Sequence, residues 1–91
     1  KKVSAIIVNW NDKNVTADCI QSLLDQDYSN LEIIVSDNGS TDGSVDFLRE
    51  RFSSSIHLLE NGRNLGFGTA VNRGLKEASG EYLIFLNNDL V

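Results

Sequence analysis

Four short apolar runs rich in β-branched residues recur along the chain, and the stretches between them carry apolar residues at steps of three and four. The runs are Val3–Val8 (VSAIIV), Leu31–Val35 (LEIIV), the weaker Ile56–Leu59, and Tyr82–Leu86 (YLIFL). A continuous apolar run of this length reads as a buried strand covered on both faces, and the three-and-four step reads as an amphipathic helix. The first intervening stretch places Val15, Cys19 and Leu23 on one stripe with Ile20 and Leu24, and Asn11 or Asp12 can cap it. The second carries Val45, Leu48 and Phe52 behind the turn Asp37–Asp42, with Ser40 or Asp42 as the cap. The third carries Phe67, Ala70, Val71, Gly74, Leu75 and Ala78, with Gly80 as its stop. Strands alternating with helices make an α/β unit: a mostly parallel open sheet, right-handed crossovers, and helices on both faces.

Ninety-one residues bound this to one domain, 1–91. A chain of this size buries about 60–65% of its unfolded surface. A hydrophobic share of 41% and a charged share of 23% are ordinary for a globular protein. No run reaches the eighteen or so apolar residues of a membrane span, and no signal peptide is expected before Val3. The chain starts at Lys1 without Met and is expected to be part of a longer protein. The single cysteine, Cys19, rules out an internal disulfide, fits a reducing compartment, and sits on a helix stripe as buried filler. The net charge of −5, with Lys1–Lys2, Arg49, Arg51 and Arg63 scattered, argues against a nucleic-acid surface. It leaves room for a small phosphorylated ligand held by backbone amides, a helix N-terminus or a cation.

Three of the runs end in polar, ligand-type residues: Asn9-Trp10-Asn11, Asp37-Asn38 and Asn87-Asn88-Asp89. In a parallel sheet those ends share one rim, which is where open α/β sheets bind ligands. The three sets are therefore expected to converge on one crevice. The glycine- and asparagine-rich loop Asn61–Gly66 opens the third helix near the same rim. Gly66 and Gly68 there would let a ligand approach the backbone, or would simply serve a loop-to-helix turn.

The stretches VSAIIVNWN (3–11), LEIIVSDNGSTDGS (31–44), ENGRNLGFGTAVNRGL (60–75) and GEYLIFLNND (80–89) stand in an order that resembles the N-terminal, nucleotide-sugar-binding half of family 2 glycosyltransferases with the GT-A fold. Each stretch alone is weak, whereas four in series are specific. The Asn-Trp-Asn and Gly-Phe-Gly wording is similar to rhamnosyltransferase-like members.

The resemblance implies a GT-A, Rossmann-like nucleotide-diphospho-sugar transferase half-domain, ending just after a D-x-D-like triplet. It implies that Val8, Asn9, Trp10 and Asn11 form the wall for a uracil or thymine ring. Trp10 would stack on the base; its alternative is a core aromatic. It implies that Asp37 or Asn38 bonds the base or ribose, with a capping role as the alternative for Asp37. Where the family often has two acids, this chain has Asp37 then Asn38, whose amide oxygen could accept the same hydrogen bond. Gly66 and Gly68 would lie near phosphate, Asn88 would touch ribose or sugar, and Asp89 would hold Mg²⁺ or Mn²⁺. Asn87 and Asn88 replace two acids of the triplet.

The implied reaction is inverting transfer from a UDP- or dTDP-type donor to a hydroxyl of a saccharide or lipid-linked acceptor, in polysaccharide and cell-envelope synthesis. The general base and acceptor half would lie beyond residue 91, leaving these residues alone able to bind nucleotide weakly and unable to turn over. The expected location is the cytoplasm, with the inner face of the cell membrane as a peripheral site for the parent. Self-association through an uncovered strand-four flank is a further expectation.

Two rival readings are a Rossmann-type dinucleotide binder and a non-catalytic flavodoxin-like module. The first lacks the third glycine of its fingerprint, with Val71 in its place, and the second lacks an acidic pair after strand one.

Overall fold

A computed structural model describes residues 2–26 and 30–87, with the backbone alone for Leu86 and Asn87. The chain runs β1 (Val3–Asn9), α1 (Lys13–Leu24), β2 (Leu31–Asp37), α2 (Ser44–Phe52), a 3-10 turn (Ser53–Ser55), β3 (His57–Glu60), α3 (Phe67–Glu77) and β4 (Tyr82–Asn87). The expected order of elements is the observed one. The four strands form one sheet in the order β3-β2-β1-β4, and every pairing is parallel.

Register follows from the apolar pattern. Val3 pairs with Leu31 and the pairing runs without slip to Asn9 beside Asp37. On the other side Val3 pairs with Tyr82 and Val8 with Asn87. A one-residue slip would move every side chain to the opposite face, and because β1 and β2 are buried along nearly their whole length it would exchange the residues packed against α1 and α2 with those packed against α3. Ile7, Ile33 and Val35 pack with Ala17 and Ile20 of α1 and with Leu48 and Phe52 of α2. The opposite face belongs to α3, which lies across β1 and β2. A Cβ at Gly74 would stand 2.6 Å from Ile6 Cγ2, so the absent side chain sets how closely α3 approaches the sheet. Ala5, Ile6, Ile7, Ile20, Ile34, Val35 and Leu48 are fully shielded from solvent. Burial of one such large side chain stabilises by about 1.5–3 kcal/mol.

Three local expectations are corrected. The buried face of α1 is centred on Thr16, Ala17 and Ile20, while Cys19 and Leu23 flank it and Leu24 is exposed. The small Ala17 lets the helix sit close, and Thr16 is needed inward to reach Asn9. Gly80 is not the stop of α3, which ends at Glu77 with Ala78 extended. Gly80 instead crosses β1 so closely that a Cβ would lie 2.6 Å from Ser4 Oγ. The strand expected at Tyr82–Leu86 forms, but Tyr82, Leu83, Ile84 and Phe85 are each exposed, because α3 lies across β1 and β2 and the helices leave β4, paired to β1 alone, largely uncovered among the described residues. Cys19 is half-buried, and desolvation raises its thiol pKa, consistent with an inert filler.

Candidate functional site

Because β1, β2 and β3 run the same way, their carboxyl ends open on a single rim. The backbone joins them there directly. The Asn38 N–H donates to Asn9 O at 2.9 Å, and the Asn61 N–H donates to Asp37 O at 2.8 Å. Asn87, paired with Val8, brings the end of β4 to the same rim.

Asn9 and Asp37 lie side by side and inward, at 0% and 2% exposure. Asn9 Nδ2 donates to Asp37 Oδ1 at 2.7 Å and to Ser40 Oγ at 3.1 Å, while Thr16 Oγ1 donates to Asn9 Oδ1 at 2.6 Å. The Ser40 hydroxyl donates to Asp37 Oδ1 at 2.6 Å and its N–H to Asp37 Oδ2 at 3.0 Å. Both carboxylate oxygens of Asp37 are therefore used within the turn. Polar groups this deep are stable only when so satisfied.

Asn11 is exposed and left-handed at φ 51°, a conformation that Asn tolerates better than most residues. Its N–H donates to Ser40 Oγ at 2.9 Å, and its Oδ1 accepts the Thr41 N–H at 2.6 Å. Asn11 thus ties the loop after β1 to the turn after β2. Asp42 completes that tie. Its carboxylate accepts the Lys13 N–H at the start of α1 and both the N–H and hydroxyl of Ser44 at the start of α2. It caps two helices from outside both, so the capping role expected for Asp42 holds and the α1 cap expected of Asn11 or Asp12 side chains does not form. Burial pushes the Asp42 carboxyl up, but the hydrogen bonds from Ser44 and Lys13 outweigh it and leave the pKa lowered.

The glycine loop joins through Asn38, which is 3% exposed. Asn38 Nδ2 donates to Gly66 O at 3.2 Å, and Asn61 Nδ2 donates to Asn38 Oδ1 at 2.9 Å. Gly39, at φ 74°, allows a second contact: a Cβ there would stand 2.6 Å from the Arg63 Cα. Gly66 adopts φ 84° and ψ 163°, a region open essentially to glycine alone, and then starts α3. Gly68 differs, since no positive φ and no nearby atom requires a glycine, and the space above it is open.

The structure thus gathers Asn9, Asn11, Asp37, Asn38 and Gly66 into one bonded rim, with Val8 buried one position before Asn9 and Gly68 two residues into the rim from Gly66. Trp10 is 50% exposed at the end of β1 and is not the core aromatic of the alternative reading. Asn88 and Asp89 lie outside the described residues. Among the described residues no group of three His, Cys, Asp or Glu side chains gathers around a cation site. The metal expectation accordingly rests on Asp89 alone. The cleft lined by Leu59, Glu60, Asn61, Arg73, Lys76 and Glu77 shares only Asn61 with the rim.

Sequence reasoning missed Thr16, Ser40, Asn61 and Asn64, whose Oδ1 accepts the Gly66 N–H at 2.9 Å, as parts of this lattice. Ser40, Asn61 and Asn64 stood inside quoted motifs, yet only the loop and turn geometry shows which atoms they serve.

The family model described as "Glycosyl transferase family 2" matches residues 4–91. Glycosyltransferase GlyA of Streptococcus pneumoniae is 37% identical over 90 residues, which are 97% of this chain and 13% of that protein. The putative teichuronic acid biosynthesis glycosyltransferase TuaG of Bacillus subtilis is 36% identical, over 96% of this chain and 35% of its own length. The UDP-Glc:alpha-D-GlcNAc-diphosphoundecaprenol beta-1,3-glucosyltransferase WfaP of Escherichia coli is 38% identical, again over 96% and 35%. The chain therefore spans between 13% and 35% of these relatives. Among solved structures, the mannosyltransferase PcManGT of Pyrobaculum calidifontis, in complex with GDP-Man and Mn²⁺, superposes with a TM-score of 0.87 at 26% identity, covering 97% of this chain and 27% of that one. S. aureus TarS 1-349 in complex with UDP-GlcNAc superposes with a TM-score of 0.86 at 27% identity, covering 98% and 27%.

Proposed function

The chain belongs to glycosyl transferase family 2, and from that premise we propose that its rim binds the nucleoside diphosphate end of a sugar donor. The observation that carries the reading is the parallel register that brings Asn9, Asp37, Asn38 and Gly66 to one edge, with the exposed Trp10 beside them. Trp10 offers an aromatic face to a pyrimidine ring, a contact of roughly 1–3 kcal/mol. The open space above Gly68 admits a diphosphate against the first turn of α3, where unpaired N–H groups favour an anion. Asp37 is a rim-building residue in this reading, since both its oxygens are committed to Asn9 and Ser40.

The donor is of UDP or dTDP type, and the transfer inverts the anomeric centre by direct attack of an acceptor hydroxyl on a saccharide or lipid-linked acceptor. A Mg²⁺ or Mn²⁺ held at Asp89 would neutralise charge on the departing diphosphate. The general base belongs to sequence after residue 91, so residues 1–91 bind nucleotide without turnover. None of the three relatives described above is named for rhamnose, and the sugar is proposed no more finely than a hexose.

Trp10 is the only tryptophan, so its fluorescence reports on the rim directly. Titration with UDP, dTDP, GDP and NAD, each with and without Mn²⁺, is expected to quench that signal with UDP or dTDP and to raise the melting temperature with them. A ligand at 100 times its dissociation constant stabilises by about 2.7 kcal/mol. Trp10→Ala is expected to weaken binding without lowering the melting temperature. Saturable binding of NAD alone would replace this reading with the dinucleotide one.

A further inference from the structure

Asn38 and Asn61 form a chain of amides from the end of β2 to the glycine loop. The orientation of Asn38 is dictated by its surroundings. Gly66 O can only accept, so Asn38 must present Nδ2 to it, at 3.2 Å. Its Oδ1 then faces Asn61 Nδ2 at 2.9 Å. Turning Asn38 over would set oxygen against Gly66 O and amide against amide. Asn61 is fixed in turn. Its Nδ2 donates to Asn38 Oδ1 and to Ser36 Oγ at 2.9 Å each, and its N–H is held by Asp37 O. Its own Oδ1 is buried without a partner, an arrangement that is ordinarily avoided because an unpaired buried acceptor is destabilising. Asn61 thus commits its donors to Asn38 and Ser36 while leaving its acceptor unsatisfied.

The far end of the chain is equally specific. Gly66 O accepts the Ala70 N–H at 3.2 Å, the first helical bond of α3, as well as Asn38 Nδ2. The Gly66 N–H is held by Asn64 Oδ1 at 2.9 Å. Gly66 is the residue in the glycine-only conformation, so the amide chain grips the peptide that turns into the start of α3.

Resting on the donor-binding reading above, we propose that Asn61 and Asn38 are positioning residues that set the Gly66 carbonyl and hence the first turn of α3. On this proposal Asn38 does not read the base. Its Oδ1 already accepts from Asn61, its Nδ2 donates to Gly66 O, and the side chain is almost wholly shielded from solvent. Discrimination among bases then falls on exposed groups of the loop after β1.

The test uses Asn61→Ala, Asn38→Ala, the double variant and Asn38→Asp. Amide hydrogen exchange at Ala70 in the unliganded chain is expected to quicken about 3- to 10-fold in either alanine variant, with β1 and β2 amides unchanged. The double variant is expected to match the single ones, because either removal breaks the same chain. Binding of UDP is expected to weaken about 3- to 10-fold, while binding of uridine, which lacks phosphate, stays within about twofold. Unchanged exchange at Ala70, or additive losses in the double variant, would overturn the positioning role. Tighter or looser uridine binding in Asn38→Asp would overturn the exclusion of Asn38 from base reading. If Asn38→Ala fails to fold, Asn61→Ala carries the exchange test with Asn38 in place. Absence of UDP binding by the unaltered chain would sink the donor-binding reading, whereas the exchange result would stand or fall by itself.

Discussion

The rim of β1 and β2 and the flank of β4 reverse the usual sorting of side chains. At the rim, Asn9, Asp37 and Asn38 are polar and exposed by 0%, 2% and 3%. On β4, Tyr82, Leu83, Ile84 and Phe85 are apolar or aromatic and exposed by 41–52%. The first inversion is self-sufficient, because the buried polar atoms bond one another through Ser40, Thr16 and Asn61. The second is not, because consecutive apolar residues suit a strand covered on both faces and these stay about half exposed among the described residues. The wall of the candidate site is therefore built in advance of any ligand, while the strand leading toward Asp89 borrows its composition from surroundings that the described residues do not supply. A preformed rim lowers the ordering cost of binding, since the groups to be fixed are already fixed.

The largest expected effect breaks the rim at its centre. Asp37→Ala removes the acceptor of the Ser40 N–H and hydroxyl and one of the two acceptors of Asn9 Nδ2, a destabilisation of about 3 kcal/mol. Urea unfolding measures it. A loss below about 1 kcal/mol would mean that the lattice is decorative and the contrast with β4 overstated. Gly66→Ala comes next at about 2 kcal/mol, from the backbone alone, since nothing lies within 4 Å of the added Cβ. Gly68→Ala is its control. That site has no positive φ, so stability holds or improves, and only diphosphate affinity is expected to fall.

Asp42 sharpens the comparison through pH. Its folded pKa is lowered, so its contribution is present above the ordinary carboxylate value near pH 4 and is lost as pH falls through the folded value. Glu32, at the opposite edge, is lowered too, by the Ser79 N–H first, against its own desolvation, and then by Ser4 and Lys2. Asp42→Ala removes the caps of α1 and α2 together and is expected to cost about 1 kcal/mol at pH 7. It should also flatten the loss of stability as pH falls below about 4, leaving the share due to Glu32. A melting series across that range reads both. An unflattened profile would place the acid-sensitive group elsewhere.

What was legible in the sequence follows from which forces have a period. The strands and their parallel order could be read because apolar runs and helical steps repeat. The rim could be read because strand ends in a parallel sheet must meet. The lattice could not: nothing in the pattern separates Asn9 pointing inward from Asn11 pointing outward, since both are short amides near the end of one strand. Thr16 was invisible for a related reason. A polar residue on a helix is assigned outward by periodicity, yet here it turns inward to bond Asn9. The exposure of β4 was hidden because composition reports the surroundings a strand is suited to, and these four residues keep that composition with or without them. Asn88 and Asp89, the cation end of the expected site, lie outside the described residues, so of the three sets expected to converge the described residues bring together Asn9-Trp10-Asn11 and Asp37-Asn38, with the backbone of Asn87 at the same rim.

The smallest expected effect comes from β4 and gives the comparison its other limb. Ile84→Thr and Phe85→Thr remove apolar surface that is already almost half in solvent, and threonine keeps the strand propensity. Each is expected to lower stability by less than about 1 kcal/mol. Ile6→Thr, on the neighbouring strand at 0% exposure, is expected to lose about 2–4 kcal/mol, from lost burial and a hydroxyl placed against the closely approaching α3. Ile6 is the register partner of Phe85, so the two positions share a sheet level and differ chiefly in cover. Sedimentation of the same proteins checks the expected self-association. If the exposed flank drives it, Ile84→Thr and Phe85→Thr reduce the concentration dependence while scarcely moving the melting temperature. Equal losses at Ile6 and Phe85 would instead mean that β4 is covered, by a second copy of the chain, at the concentrations used.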